Sequence, residues 1–238
     1  MRKLPIGVQS FEKLIRENFL YVDKTEYVFN LVHTGGQFFF SRPRRFGKSL
    51  FLSTLRAYWE GKKDLFQGLV IEKLEENNPN AWQACPVFYF DFNGQNYREI
   101  PLEAVLNSQL KNWETEYKVQ YRKDTLGERF EQLLIAASIQ TGKKCVVLVD
   151  EYDKPLLESI ENSSLEEHNK DVFKAFFSIL KKADEYLQFV FITGVTKFNK
   201  VSIFSDLNQL NDISLSKDFA ALCGITESEL LQCFQPEI

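Results

Sequence analysis

Short apolar runs alternate along the chain with longer segments in which apolar residues recur at helical spacing. The predicted strands are the runs Phe38–Phe40, Pro86–Phe92, Cys145–Val149 and Gln188–Thr193. Amphipathic helices are predicted over Lys48–Tyr58, Pro101–Tyr121, Leu126–Gln140 and Lys170–Lys182. Apolar strands that alternate with helices favour a parallel sheet between two helical layers. The predicted fold class is therefore α/β, with three layers and a mostly parallel sheet.

The last part of the chain is more polar, and its elements are predicted to be short. These are a short helix or loop over Ser202–Asn211, a brief fifth strand over Asp212–Ser214 and a helical segment over Asp218–Cys223. Thr226 and Glu229 have the spacing of a capping box at the start of a last helix. We expect residues 1–215 to form the core with an N-terminal helical lead, and residues 216–238 to begin a helical lid or a following domain.

The loop after the first predicted strand has the composition of a phosphate-binding loop. It reads S-R-P-R-R-F-G-K-S and leads directly into a helix, which is the context that such a loop needs. Its backbone N–H groups and the positive end of the helix dipole would hold a phosphate. Lys48 is expected to reach the β- and γ-phosphates and Ser49 to hold Mg²⁺. The predicted nucleotide contacts are Arg42, Pro43, Arg44, Arg45, Phe46, Gly47, Lys48, Ser49 and Leu50.

The loop departs from the usual pattern G-x-x-x-x-G-K-[ST] at its first position. Arg42 stands where that pattern has glycine, whereas Gly47 and the Lys48-Ser49 pair are kept. From these residues alone, the alternative is a basic surface turn between a core strand and a core helix.

Two adjacent carboxylates, Asp150 and Glu151, follow the third apolar run. Buried carboxylates are costly unless a cation lies near them, and a Mg²⁺–nucleotide complex would supply that charge. Asp150 is expected to hold the Mg²⁺ shell, and Glu151 to polarise the attacking water as a catalytic base. The alternative is that both cap the next helix or pair with Lys154 at the surface.

Three further side chains are candidates for contacts with the nucleotide, and each also has a purely structural interpretation. Thr193 closes the fourth predicted strand, where its hydroxyl would sense the γ-phosphate or the lytic water, or would simply end the strand. Tyr21 or Tyr27 could offer an aromatic face to the nucleotide base, or their segment could belong to a helix packed on the sheet edge.

Composition limits the remaining classes of function. The length of 238 residues suits one α/β domain with a small appendage. The net charge of −4 disfavours nucleic-acid binding, while the local basic cluster in the loop suits a polyphosphate.

The cysteines form no C-x-x-C pair and the two histidines are far apart, so no zinc site is predicted. No leader-like segment and no apolar run of about 20 residues occurs, so a reduced, cytoplasmic protein without a membrane contact is expected.

Several motifs together resemble the predicted AAA-ATPase-like proteins that are common in anaerobic bacteria. They are L-P-I-G-V-Q-S-F, Y-V-D-K-T, F-S-R-P-R-R-F-G-K-S-L, V-L-V-D-E-Y-D-K-P, F-I-T-G-V-T-K-F and I-F-S-D-L-N. That family carries arginine at the position of Arg42. The predicted order of elements implies an extra strand between the loop strand and the acidic strand, which points to the ASCE division of P-loop NTPases that includes the AAA+ and STAND groups.

The resemblance implies binding of ATP with Mg²⁺ and ATP hydrolysis. By motif, Lys48 and Ser49 carry over as phosphate and Mg²⁺ contacts, Asp150 as the Mg²⁺ carboxylate, Glu151 as the base and Thr193 as a sensor. Asp153 and Lys197 lie within the motifs without an assigned role. Members often continue into a nuclease-like domain of the PD-(D/E)xK type; because this chain ends at Ile238, we expect no nuclease activity from it.

Three hypotheses follow. The first is an ATPase that acts as a switch or motor module, in which Arg44, Arg45 or an arginine of a neighbouring subunit assists catalysis. The second is a nucleotide-binding scaffold with negligible hydrolysis, which a retained Glu151 disfavours. The third is a nucleic-acid-associated module, which the acidic pI of about 5.4 disfavours. A homo-oligomer or another protein partner is compatible with each.

Overall fold

A computed structural model of the chain describes residues 2–120, 125–195 and 209–235. The strands are β1 (Gly36–Ser41), β2 (Val87–Asp91), β3 (Cys145–Asp150), β4 (Leu187–Gly194) and β5 (Leu210–Asp212). The helices are α1 (Phe11–Arg16), α2 (Thr25–Thr34), α3 (Lys48–Trp59), α4 (Val70–Leu74), α5 (Leu102–Glu116), α6 (Leu126–Thr141), α7 (Lys154–Glu158), α8 (Ser163–Phe177), α9 (Ile179–Lys182) and α10 (Glu227–Phe234).

The five strands form one sheet in the order β2-β3-β4-β1-β5. The pairs β2–β3, β3–β4 and β1–β4 are parallel. The chain therefore has the predicted α/β class, with the fold of a three-layer P-loop NTPase. The prediction that a strand separates the loop strand from the acidic strand is also confirmed, because β4 lies between β1 and β3.

The chain divides into two compact units. The sheet unit comprises Gly36–Ser41 and Pro86–Asn211, and the helical unit comprises Met1–Gly35, Arg42–Cys85 and Asp212–Ile238. The predicted division into residues 1–215 and 216–238 remains a prediction. Both units are built from separated stretches of sequence.

Aromatic rings fill much of the sheet unit's core. All six residues of β3 are buried, as expected for an almost continuous apolar run in a parallel sheet. Phe90 of β2 and Phe130 of α6 meet edge to face at 5.1 Å, and Phe130 stacks on Phe176 of α8 at the same distance. These contacts fix the helices that flank β2 and β3.

The helical unit has its own core around α3. This helix buries Phe51, Leu52 and Leu55, which recur at helical spacing. Ser10 caps α1, because its side chain accepts a hydrogen bond from the Lys13 N–H. Phe11 packs against the Phe66 ring at 4.9 Å.

Several predicted boundaries are wrong by a few residues. The helix predicted over Lys170–Lys182 is two helices, since α8 begins at Ser163 after its Asn162 cap and ends at Phe177, and α9 follows. Its first turns are polar and exposed, so apolar spacing did not reveal them. The predicted fifth strand lies two residues earlier, at β5. Only a 3₁₀ turn over Lys217–Phe219 is helical within the predicted segment 218–223.

Other predictions concern positions that the structure leaves undescribed. The helix predicted to reach Tyr121 ends earlier than predicted, because α5 ends at Glu116. Most of the predicted segment Ser202–Asn211 and the motif residue Lys197 lie outside the described residues. The capping box of Thr226 and Glu229 is confirmed at the start of α10. None of the described helices combines the length and apolar character that crossing a membrane requires.

Candidate functional site

The carboxyl ends of β1, β3 and β4 meet at one edge of the sheet unit. Phe40 pairs with Thr193 and Ser41 pairs with Gly194, so β1 and β4 end level with each other. Val149 pairs with Ile192, which brings the last residue of β3, Asp150, beside Thr193. Ligands of open parallel sheets bind outside such strand ends.

Asp150 is held in place by two hydroxyl groups. The Thr193 hydroxyl donates to Asp150 Oδ1 at 2.8 Å, and the Tyr89 hydroxyl lies 3.3 Å from Oδ2. Asp150 and Thr193 are each only 1% exposed. Both hydrogen bonds fix the orientation of this carboxyl group.

The chain turns sharply directly after Asp150. Glu151 has a positive φ of +49°, a left-handed conformation that is unfavourable for a residue with a side chain. Two contacts with β4 hold this turn: the Tyr152 N–H donates to the Thr193 carbonyl at 3.0 Å, and the Glu151 N–H lies 3.4 Å from the Thr193 hydroxyl oxygen. Glu151 itself is half-buried, directly after the buried Asp150.

The next residues lock the turn against the end of β4. Asp153 is completely buried and accepts a hydrogen bond from the Val195 N–H at 2.8 Å. A Cβ atom on Gly194 would come within 2.6 Å of the Tyr152 ring. Only glycine therefore allows the two segments to approach so closely. Asp153, for which the motif gave no role, positions the chain beyond Thr193.

The loop of the helical unit has a different construction. Gly47 precedes α3 with a φ of +93°, and Arg45 also has a positive φ, of +66°. Lys48 is buried, and its ammonium group donates to the carbonyl groups of Arg42 at 2.9 Å and Pro43 at 3.1 Å. The buried lysine side chain thus stabilises the loop by bonding two carbonyl groups at the start of the same loop.

The outer side of the loop is open. Residues 43–47 are exposed, and the N–H groups of Arg44–Gly47 find no hydrogen-bond acceptor among the described residues. Ser49 and Leu50 are half-buried in the first turn of α3. Exposed N–H donors beside a helix N-terminus favour an anion.

Arg42 makes a contact that the sequence did not predict. Its guanidinium donates to the Ser214 carbonyl, in the segment after β5. The side chain that replaces the usual glycine therefore ties the loop to another stretch of the helical unit.

Sequence reasoning missed Tyr89 and Gly194. Tyr89 lies in an apolar strand, and nothing in its local pattern shows that β2 is the neighbour of β3. Gly194 follows Thr193 in a strand, where glycine signals a close backbone approach. That signal was present, but the partner ring could be identified only from the tertiary structure.

Comparison with known proteins gives the same family as the motifs. The sequence profile of the family described as "Predicted AAA-ATPase" matches residues 5–204. A protein of Azotobacter chroococcum mcd 1, named "Uncharacterized protein in vnfD 5'region", is 39% identical over 243 residues; the match covers 100% of this chain but 46% of that protein. The chain thus spans less than half the length of this relative. No solved structure matches the chain significantly. The chain belongs to the predicted AAA-ATPase family.

Proposed function

We propose that this member of the predicted AAA-ATPase family binds ATP with Mg²⁺ and hydrolyses it, acting as a switch or motor module. The loop of residues 42–50 would bind the phosphates, and Asp150, Glu151 and Thr193 would act at the γ-phosphate.

The observation that best supports the proposal is the register of β3, β4 and β1. Within the sheet unit it aligns Asp150, Thr193 and Ser41 at one edge. The phosphate-binding loop begins at the very next residue, Arg42. Chain continuity therefore starts this loop at the edge where the acidic residues lie.

The donor set fits a hard divalent cation. The Asp150 carboxylate and the Ser49 hydroxyl offer the oxygen ligands that Mg²⁺ prefers. A bound Mg²⁺ would offset the negative charge that develops on the phosphate oxygens during the reaction. Asp150 is suited to this task because Thr193 and Tyr89 already fix its orientation.

The remaining residues have separate roles in phosphoryl transfer. The Lys48 ammonium and the loop N–H groups would stabilise the charge on the β- and γ-phosphates. Glu151 would accept a proton from the water that attacks the γ-phosphorus. The bond from that phosphorus to the β–γ bridging oxygen breaks, and ADP and phosphate leave. Thr193 would maintain the position of Asp150 and of the Glu151 backbone throughout.

The test compares wild type with Lys48→Ala and Glu151→Gln in nucleotide binding and in phosphate release with Mg²⁺. Lys63→Ala and Glu161→Gln, two exposed positions, are matched controls. We expect Lys48→Ala to lose about a hundredfold in ATP affinity, the loss of roughly two charged hydrogen bonds. Glu151→Gln should bind ATP normally and turn over at least about a hundredfold more slowly.

Two outcomes would contradict the proposal to different extents. Binding without turnover in wild type would leave a nucleotide-binding scaffold. If wild type did not bind ATP, the loop would be only a structural basic turn.

A further inference from the structure

The buried Asp150 carboxyl group is held from both neighbouring strands of the sheet. Because β3 lies between β2 and β4, hydroxyl groups reach it from opposite sides. The Thr193 hydroxyl of β4 donates to Oδ1 at 2.8 Å, and the Tyr89 hydroxyl of β2 lies 3.3 Å from Oδ2. We propose that Tyr89 is a specificity-determining residue, which limits Asp150 to one oxygen as a metal ligand and so makes the site prefer Mg²⁺ over Ca²⁺. This inference rests on the proposed function, since Asp150 must face the cation of a bound nucleotide.

The pairing of β2 with β3 brings the tyrosine to this position. Tyr89 pairs with Leu148, and Asp91 pairs with Asp150. Paired residues of neighbouring strands point to the same face of a sheet, as do residues two apart in one strand. Tyr89 therefore lies on the face of Asp150, two residues before the end of β2, and its long side chain extends to the carboxyl group.

The two hydroxyl groups fix the plane of the Asp150 carboxyl group. Each occupies one of the two lone pairs of a different oxygen, so rotation about the Cβ–Cγ bond would break both hydrogen bonds. Asp150 and Thr193 are each only 1% exposed, and at such burial water does not replace a lost bond. Thr193 is itself fixed, because its carbonyl accepts a hydrogen bond from the Tyr152 N–H at 3.0 Å.

Ca²⁺ and Mg²⁺ differ in how they use a carboxylate. Ca²⁺ takes about six to eight oxygen ligands at about 2.3–2.6 Å and often binds both oxygens of one carboxylate. Mg²⁺ needs a nearly octahedral shell at about 2.0–2.1 Å and keeps several of its waters, so one carboxylate oxygen is sufficient. A carboxyl group that does not turn both oxygens toward the cation withholds the second ligand from Ca²⁺ and leaves Mg²⁺ unaffected. Its fixed plane therefore favours Mg²⁺.

The role of the Tyr89 hydroxyl can be separated from the fold more cleanly than that of Thr193. The Thr193 hydroxyl oxygen also lies 3.4 Å from the Glu151 N–H, so it supports the turn after Asp150. Tyr89 is half-buried, and phenylalanine in its place keeps the ring and removes only the hydroxyl. Tyr89→Phe therefore releases Asp150 Oδ2 while the packing of the ring remains.

The experiment measures by calorimetry the affinity of β,γ-imido-ATP, which resists hydrolysis, in saturating Mg²⁺ and in saturating Ca²⁺. The ratio of the two dissociation constants reports the metal preference. We expect wild type to bind the Mg²⁺ complex at least about tenfold more tightly than the Ca²⁺ complex. In Tyr89→Phe this ratio should narrow about fivefold, as expected for one hydrogen bond, because the Ca²⁺ complex gains affinity.

Three further variants test the same contact. Thr193→Val removes the other hydroxyl and should narrow the ratio in the same direction. Thr193→Ser keeps a hydroxyl and should retain the wild-type ratio. Tyr186→Phe is the matched control, because it removes a hydroxyl from a half-buried tyrosine directly before β4, at the opposite edge of the sheet. It should leave both affinities unchanged.

The outcomes separate this inference from the function on which it rests. Equal weakening of both complexes in Tyr89→Phe would overturn it, because a purely structural role affects the two ions alike. A wild-type ratio near one would also overturn it and would leave the nucleotide site intact. If neither complex bound wild type, the proposed function itself would be refuted.

Discussion

The acidic edge of the sheet unit and the loop of the helical unit are organised in opposite ways. At the acidic edge Asp150, Asp153 and Thr193 are at most 1% exposed, and side-chain hydrogen bonds fix them. In the loop, residues 43–47 are exposed, and backbone conformation and the Lys48 ammonium give the shape. Changes at the edge should therefore appear mainly in stability, and changes on the outer side of the loop mainly in ligand affinity.

The largest effect on stability is expected from Gly194→Ala at the acidic edge. The new methyl group would come within 2.6 Å of the buried Tyr152 ring. Overpacking of this kind should lower the free energy of unfolding by about 3 kcal/mol in urea denaturation. Adding Tyr152→Leu should recover part of the loss, since it removes the ring. A fully stable Gly194→Ala variant would show that the edge is not tightly packed.

Thr193→Val should have the next largest effect. Valine keeps the shape but removes the hydroxyl that bonds Asp150, which should cost about 2 kcal/mol because the buried acceptor loses its partner. Thr193→Ser keeps the hydroxyl and should cost about 1 kcal/mol, the value of one buried methyl group. Unfolding in urea measures both. A reversed order would mean that packing, rather than the hydroxyl, is what Thr193 contributes.

In the loop, Arg42→Gly should have a smaller effect. The substitution restores the usual glycine but removes the contact with the Ser214 carbonyl, and we expect a loss of about 1 kcal/mol in the free energy of unfolding. Arg44→Gly is the matched control, because it adds the same backbone freedom at an exposed position. If the two variants are equally stable, Arg42 does not tie the loop.

The smallest effect concerns Glu229 of α10, which forms an ion pair with Lys24. Burial raises the pKa of its carboxyl, but hydrogen bonds from Lys24 and from the Thr226 N–H outweigh this and lower it below its ordinary value of 4.5. The folded protein therefore releases this proton more easily than the unfolded chain. The resulting stabilisation is present above pH 4.5 and is lost as the pH falls through the lowered pKa.

Glu229→Gln should accordingly reduce thermal stability slightly at neutral pH, and the difference from wild type should shrink below pH 4.5. Glu227→Gln, in the same turn but exposed, is the control. A difference that persists unchanged into acid would show that the charge of Glu229 is not the cause.

Local sequence patterns predicted many of the secondary-structure elements. Apolar runs located β1 to β4, and the capping-box spacing of Thr226 and Glu229 located the start of α10. The first turns of α8, from Ser163 onward, are polar, so no apolar periodicity indicated where this helix begins. The predicted position of β5 was wrong by two residues, because a strand of three residues contains too little pattern to set its boundaries.

For the candidate site, the sequence by itself determined the chemical groups. Lys48, Ser49, Asp150 and Glu151 occur in local motifs whose residue types suit phosphate and Mg²⁺, and Thr193 ends an apolar strand. Only the tertiary structure decided which groups support them. Tyr89 approaches Asp150 through the pairing of β2 with β3, and the Lys24 ammonium donates to the Ala221 carbonyl, 197 residues further along the chain. Strand order and long-range packing depend on contacts between distant residues, and a local pattern does not encode them.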